Sequence, residues 1–228
     1  METKKIVTEL KKYKNAKNIA GMARFGIWGK NVLGGPNIPT LRKMAKGFKK
    51  DFSAKERHKV AQELWQTDIH EARLLAGFLD EPELVTSKQM EEWVSDFDAW
   101  DTCDMVCNNL FDRTEIVFNK IPKWAKDKRE YVKRSAFALM AGLAVHNKKM
   151  TDKDFLAFFP LIKREALDDR NFVRKAVNWA LRQIGKRNKK LQKEAIKLGE
   201  EISKIDSKSA RWIAGDAIRE LKSKKLKS

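Results

Sequence analysis

The sequence predicts an all-α protein whose helices stack as repeating pairs in a solenoid, and three observations carry that expectation. Apolar residues recur at the helical spacing of three and four along nearly the whole chain, and alternating strand patterns are absent. Proline is rare, and Pro36, Pro39, Pro82, Pro122 and Pro160 fall where helices should begin or end. The segment 132–143, VKRSAFALMAGL, is echoed by 173–184, VRKAVNWALRQI, an offset of 41 residues, with a weaker echo in SARWIAGDAIREL from Ser209. An offset near 40 with two helices per unit is the pattern of HEAT-type repeats, in which each pair buries its apolar face only against its neighbours.

Taken in order, the loop LGGPNIP starts a helix over 40–48 by its turn residues. Helices follow over 53–65, 69–79, 86–97, 99–111, 129–145, 152–167, 171–184, 189–204 and 208–221, about a dozen for the chain. The expected organisation is one HEAT-like repeat domain over 1–228. Its N-terminal helices and cap occupy 1–50, the repeats 51–221, and a basic tail, KSKKLKS, 222–228.

With 228 residues, 42% of them apolar, the chain can bury a sizeable core. Its 49 Lys and Arg against 31 Asp and Glu leave a net charge of +18, which favours a polyanionic partner, above all nucleic acid. Cys103 and Cys107 lie four apart on an apolar stripe, where they pack as small hydrophobes rather than pair. That usage, with no secretory leader, points to the cytoplasm, and no apolar run reaches the roughly 20 residues that cross a bilayer. The three histidines, His58, His70 and His146, are scattered, so no metal site is expected. Gly34-Gly35-Pro36 lacks the Gly-Lys-Ser/Thr of a phosphate loop, so neither a nucleotide nor any other cofactor is expected.

The stretch FDAWDTCDMVCNNLF, 97–111, carries the first candidate site. Ala99, Cys103, Val106, Cys107, Leu110 and Phe111 form its apolar stripe, while Trp100 and Asp104 stack one turn apart on a neighbouring flank with Asn108 beyond. On the helix from Asn171, the apolar stripe Val173, Ala176, Val177, Ala180, Leu181, Ile184 is flanked by a second stripe, Lys175, Trp179 and Arg182. An indole between two cations suits sugar or base contact with phosphates alongside. One repeat earlier, Arg134 with Ala138 and Ala141 occupies the equivalent flank, and Lys133, Arg174, Lys186 and Arg187 extend the positive ground. If the units stack, these side chains converge on one cleft. A carboxylate there should stay ionised among cations, so Asp104 repels phosphate and suits a cation. An alkylated, cationic nucleoside fits, because positive charge grows on its deoxyribose as the glycosidic bond breaks.

The blocks GPNIPTLRKMAK, ELWQTDIHEARLLA, WDTCD, KRSAFALM and RKAVNWALRQIG, spread over about 20–185, resemble the DNA alkylation repair glycosylases of the AlkD type. The resemblance implies a right-handed superhelix clasping duplex DNA on its concave face. The implied reaction is hydrolytic release of N3- and N7-alkylated purines without a conventional base-flipping pocket. Carried over by motif, Trp100 and Trp179 contact the lesion deoxyribose, and Asp104 stabilises the oxocarbenium and positions water. Arg134 holds backbone phosphate; the helix-face spacing, separately, nominates Arg182, Lys175, Lys133 and Arg174 as DNA contacts. Phe25, in MARFGIWGK, stands where a tyrosine is expected, which keeps stacking and loses a hydroxyl. The partner implied is duplex DNA bearing alkylated purines, bound by a monomer. The alternative is a non-catalytic HEAT-repeat protein that binds damaged or branched DNA by shape, and a protein-binding HEAT scaffold is a second rival.

Overall fold

The computed structural model describes residues 2–28 and 31–224, so Met1, Gly29, Lys30 and the last four residues of the expected basic tail lie outside the described residues. All regular structure among the described residues is helical. The chain divides into two compact units, residues 1–114 and 115–228.

The first unit holds α1 (Glu2–Lys11), α2 (Ala16–Ala23), α3 (Ile38–Asp51), α4 (Ala54–Trp65), α5 (His70–Leu79), α6 (Ser87–Ser95) and α7 (Trp100–Asn109), with 3₁₀ turns at Pro82–Leu84 and Phe111–Arg113. Helix starts follow side-chain chemistry. Asn15, Asn37, Ser53 and Thr86 each accept a backbone N–H of the first turn, and Ser53 with Glu56 completes a capping box. The core is built on tryptophan. Trp65 of α4 and Trp93 of α6 stack with centroids 4.0 Å apart and planes 2° from parallel, and Phe97 and Phe111 close round them. The Trp65 indole N–H donates to Asp96 Oδ2 at 2.8 Å, so the buried ring leaves no polar atom unsatisfied. Cys103 and Cys107 are buried in this unit as thiols, as expected.

The second unit holds α8 (Val117–Trp124), α9 (Glu130–His146), α10 (Asp152–Leu156), α11 (Phe159–Glu165), α12 (Asn171–Gly185), α13 (Lys189–Ser203) and α14 (Lys208–Ser223). Helices α9, α12 and α14 pack in series, each backed by a preceding helix: α8 on α9, α11 on α12, α13 on α14. The 41-residue sequence offset is thus a structural repeat. Bonds from side chain to backbone join one repeat to the next at nearly that spacing. Arg134 Nη1 donates to the Phe172 carbonyl at 2.5 Å, Arg170 Nη1 to that of Lys128 at 2.7 Å, Ser209 Oγ to that of Asp168 at 2.7 Å and Asn178 Nδ2 to that of Ile213 at 3.1 Å. The helix starts repeat as well, since Asp127 receives Arg129 and Asp168 receives Arg170 through backbone N–H and guanidinium together. At Gly185 a Cβ would come within 2.8 Å of Leu221 and 2.9 Å of Ala195, so this glycine lets α12 end tightly against α13 and α14.

Two expectations need correction. The single helix over 152–167 is two, α10 and α11, because Pro160 cannot donate a backbone N–H and its ring crowds the preceding turn. It sits instead near the start of α11, where no donor is needed. Pro122, read as a boundary, lies inside α8 two residues from its end.

An ion cluster ties the second unit together between repeats. Lys133 of α9 reaches Glu165 of α11 and lies 3.0 Å from Asp168, which also receives Arg170. Burial works against the ionised Asp168, but the hydrogen bonds and charges of Arg170 and Lys133 outweigh it and hold this carboxyl down at about 2. A depressed carboxyl contributes stability above its unfolded value that is lost as pH falls through the folded one. Asp168→Asn should therefore cost about 1–3 kcal/mol in chemical denaturation at neutral pH. The gap from wild type should be constant above about pH 5 and close between about pH 4 and 2.

Candidate nucleic-acid interface

In the first unit the site gathers at the start of α7. Its N-cap residue, Ala99, offers no capping side chain; Asp101 Oδ1 accepts the Thr102 N–H at 2.9 Å, and α5 anchors the turn from outside. Asp101 Oδ2 lies 2.9 Å from His70 Nε2, and Thr102 Oγ1 lies 3.3 Å from His70 Nδ1, so one buried imidazole of α5 grips two successive residues of α7. Burial disfavours the imidazolium, yet the hydrogen bond and charge of Asp101, helped by Glu71 and Asp98, hold the His70 pKa above its ordinary 6.5. The neighbouring Glu71 accepts backbone N–H groups of Leu33 at 2.9 Å, Gly34 at 2.8 Å and Gly35 at 3.3 Å. That carboxylate sets the glycine loop. Gly34 adopts φ +78°, and a Cβ there would meet the Asn15 carbonyl at 2.5 Å.

Trp100 is half-buried, and its indole N–H donates to the Phe25 carbonyl at 2.9 Å. Phe25 itself is 72% exposed and Trp28 68%, two large rings held in water just after α2. Phe25, Met22, Tyr13, Trp100, Asp101 and His70 line an open cleft of about 890 Å³ in this unit. Asp104 lies one turn beyond Trp100, as its spacing requires, but it is only 6% exposed. Asn108 donates to the Asp104 carbonyl at 2.8 Å and so belongs to the backbone of the helix.

In the second unit the structure sorts the expected contacts by their partners. Lys133 is matched by Glu165 and Asp168, and Arg182 reaches Glu220 and lies 3.8 Å from Asp216. Arg134 is buried, with its guanidinium on the Phe172 carbonyl. Trp179 is half-buried and Lys175 exposed. Lys175 and Arg174 have no carboxylate partner among the described residues, and the Arg174 guanidinium lies over the ring of Trp212, 4.8 Å from its centroid. Of the sequence-nominated set, Phe25 and Trp100 meet directly in the first unit, and Lys175, Trp179 and Arg182 share one face of α12.

Sequence reasoning missed the His70–Asp101 grip, the Glu71 loop clasp and the Arg174–Trp212 stack. His and Glu in ELWQTDIHEARLLA were on view, but nothing local says which backbone they reach. Trp212 carried a usable signal, since it stands 40 residues after Phe172 and 81 after Tyr131, at the same register of the repeat.

A family model described as DNA alkylation repair enzyme matches residues 6–221. Among solved structures, the fold is shared with a protein described as one of a new family related to the HEAT-like repeat DNA glycosylases with affinity for branched DNA structures. That match has a TM-score of 0.75 at 16% identity, over 96% of this chain and 95% of that one. AlkD2 from Streptococcus mutans matches with a TM-score of 0.60 at 22% identity, over 85% of this chain and 92% of that one. A further Streptococcus mutans UA159 protein matches with a TM-score of 0.60 at 22% identity, over 83% and 93%. No protein of curated function matches the sequence. These likenesses establish an all-α, HEAT-like repeat fold. No described helix is long and apolar enough to cross a membrane.

The His70 grip has a signed consequence. A raised imidazole pKa contributes stability that is complete below the unfolded value and lost as pH rises through the folded one. Asp101→Asn should lower the His70 midpoint, followed by NMR, because burial is then less opposed. Amide exchange over 100–104 should quicken, and the stability gap from wild type should shrink as pH rises.

Proposed function

Because the chain belongs to the DNA alkylation repair enzyme family, we propose that it is a DNA N-glycosylase that releases cationic N3- and N7-alkylated purines from duplex DNA. The observation that carries this reading is the pairing, on one turn of α7, of Trp100 beside an open cleft with a buried Asp104, in a chain of net charge +18.

The chemistry divides among named groups. Water attacks C1′ of the lesion nucleotide, the bond from C1′ to the purine nitrogen breaks, and the proton lost by the water as it becomes the C1′ hydroxyl passes through Asp104 to solvent. The electron pair leaves with the base, which departs neutral because it began as a cation. No acid is therefore needed at the leaving group, in contrast to glycosidases acting on neutral substrates. Asp104 stabilises the positive charge developing on the deoxyribose and accepts the hydrogen bond that aims the water. Trp100 offers an aromatic face to that charge, worth about 0.5–2 kcal/mol, and Trp179 is the second unit's aromatic contact to deoxyribose. Neutral lesions lack the built-in leaving group and should be poor substrates.

Lys175 and Arg174 are the cations best suited to phosphate, since neither is matched by a carboxylate among the described residues. Lys133 and Arg182 already have their charge matched by carboxylates, and Arg134 gives one guanidinium N–H to the Phe172 carbonyl. We assign those three to shaping the DNA-binding face of α9 and α12 as well as to charge. Phe25 supplies stacking area, and its carbonyl fixes the Trp100 ring.

A second reading is favoured by the neighbour described as having affinity for branched DNA structures: a non-catalytic protein that recognises DNA by shape. One experiment separates the two. Methylated duplex is incubated with wild type and Asp104→Asn, and released bases are resolved by chromatography. The glycosylase reading expects 7-methylguanine from wild type, a loss of about 100-fold or more in the variant and undiminished DNA affinity. Equal release from both proteins sinks the role of Asp104, and no release from wild type, with tight junction binding, favours the shape reader. In either case log affinity should fall linearly with log salt, as phosphate neutralisation demands.

A further inference from the structure

In the second unit, three aromatic residues occupy one register of the repeat: Tyr131 of α9, Phe172 of α12 and Trp212 of α14. Each stands one residue before the apolar position that aligns the repeats, Val132, Val173 and Ile213. The Tyr131 and Phe172 rings lie 5.8 Å apart and are half-buried, so they cover one another. Trp212 ends the row and is 40% exposed. Its outer neighbour is the guanidinium of Arg174, which makes no ion pair among the described residues and reaches only Asn171 Oδ1, through a long hydrogen bond of 3.4 Å. Lys175 follows on the same helix, exposed and without a carboxylate among the described residues.

The contrast with neighbouring cations gives the row its meaning. Lys133, Arg170, Arg182 and Lys186 in this unit are all neutralised by Glu165, Asp168 or Glu220. Arg174, against the exposed indole, and Lys175, next to it in sequence, have no such carboxylate among the described residues. A stacked guanidinium keeps its N–H edge open to an anion while its face covers the ring. A sugar–phosphate backbone offers both complements at the right spacing: the C–H face of deoxyribose for an indole, and phosphate oxygens for the cations next to it.

We propose that Trp212, braced by Arg174, is a DNA-backbone contact in which the indole packs on a deoxyribose while Arg174 and Lys175 take adjacent phosphates. The proposal rests on the DNA-binding part of the function above, not on base release. It adds a residue from the last helix to the binding surface.

The test is equilibrium binding of a short undamaged duplex, followed by anisotropy at several salt concentrations. Trp212→Ala should weaken binding about fivefold or more with the salt dependence unchanged, as expected for loss of a stacking contact. Trp212→Phe, which keeps a ring, should bind within about twofold of wild type. Lys175→Ala should instead flatten the salt dependence by about one unit of slope, the mark of one lost phosphate contact. Because alanine at position 212 can disturb α14, a second readout uses 5-fluorotryptophan in the otherwise intact chain, with the Trp212 resonance assigned through Trp212→Phe. That resonance should shift on saturation with duplex. An unmoved resonance, or wild-type affinity in Trp212→Ala, overturns the contact. Weakened binding by Trp212→Ala in a protein that releases no base leaves this contact standing and removes only the glycosylase assignment.

Discussion

Helix α12 is apolar along one stripe and packed between two like helices, α9 before it and α14 after it. Its neighbours lie about 40 residues away in the chain, so its burial depends on the repeat being kept in register. Val173, Ala176, Val177, Ala180, Leu181 and Ile184 are fully buried there, each worth about 1–3 kcal/mol for the larger side chains. Register is held by polar bonds that an apolar stripe cannot supply. Asn178, 2% exposed, donates across to the Ile213 carbonyl, and Arg134 reaches back from α9 to the Phe172 carbonyl. Sliding α12 by one turn would bury those groups without partners, at a cost comparable to losing a large core side chain. The face of α12 that carries Lys175, Trp179 and Arg182 is aimed by this packing.

The same matching of partners governs charge. A net +18 suggests a uniformly positive surface, but several cations between the repeats of the second unit, Lys133, Arg170, Arg182 and Lys186 among them, are engaged by carboxylates within the fold. Internal pairing rigidifies the helix starts and lowers the repulsion that an unpaired cluster would suffer. Among the cations left for a polyanion, Arg174 lies against an aromatic face, a placement that suits a sugar–phosphate backbone.

At α7 the constraint is different. A helix without a capping side chain frays at its first turn, and that is where Trp100 sits. Asp101 takes the Thr102 N–H, His70 of α5 anchors the Asp101 and Thr102 side chains, and the Phe25 carbonyl orients the indole. The Trp100 ring is thereby fixed by its own ring nitrogen and by a first turn anchored to α5.

Periodicity alone determined that the chain is helical, which faces are apolar, and where the repeat falls, because helix geometry is a local property that every three or four residues restate. It placed Trp100 and Asp104 on a common flank and Lys175, Trp179 and Arg182 on another, and the helices carry them so. Side-chain direction is legible in a wheel; what covers the side chain is not. Hence only the tertiary structure decided that Asp104 is buried, that Lys133 and Arg182 meet carboxylates while Arg174 meets an indole, that His70 grips α7, and that Pro160 divides one expected helix into two. Apart from that local proline effect, these outcomes depend on groups brought together from well outside each helix, and no local pattern encodes which partner arrives.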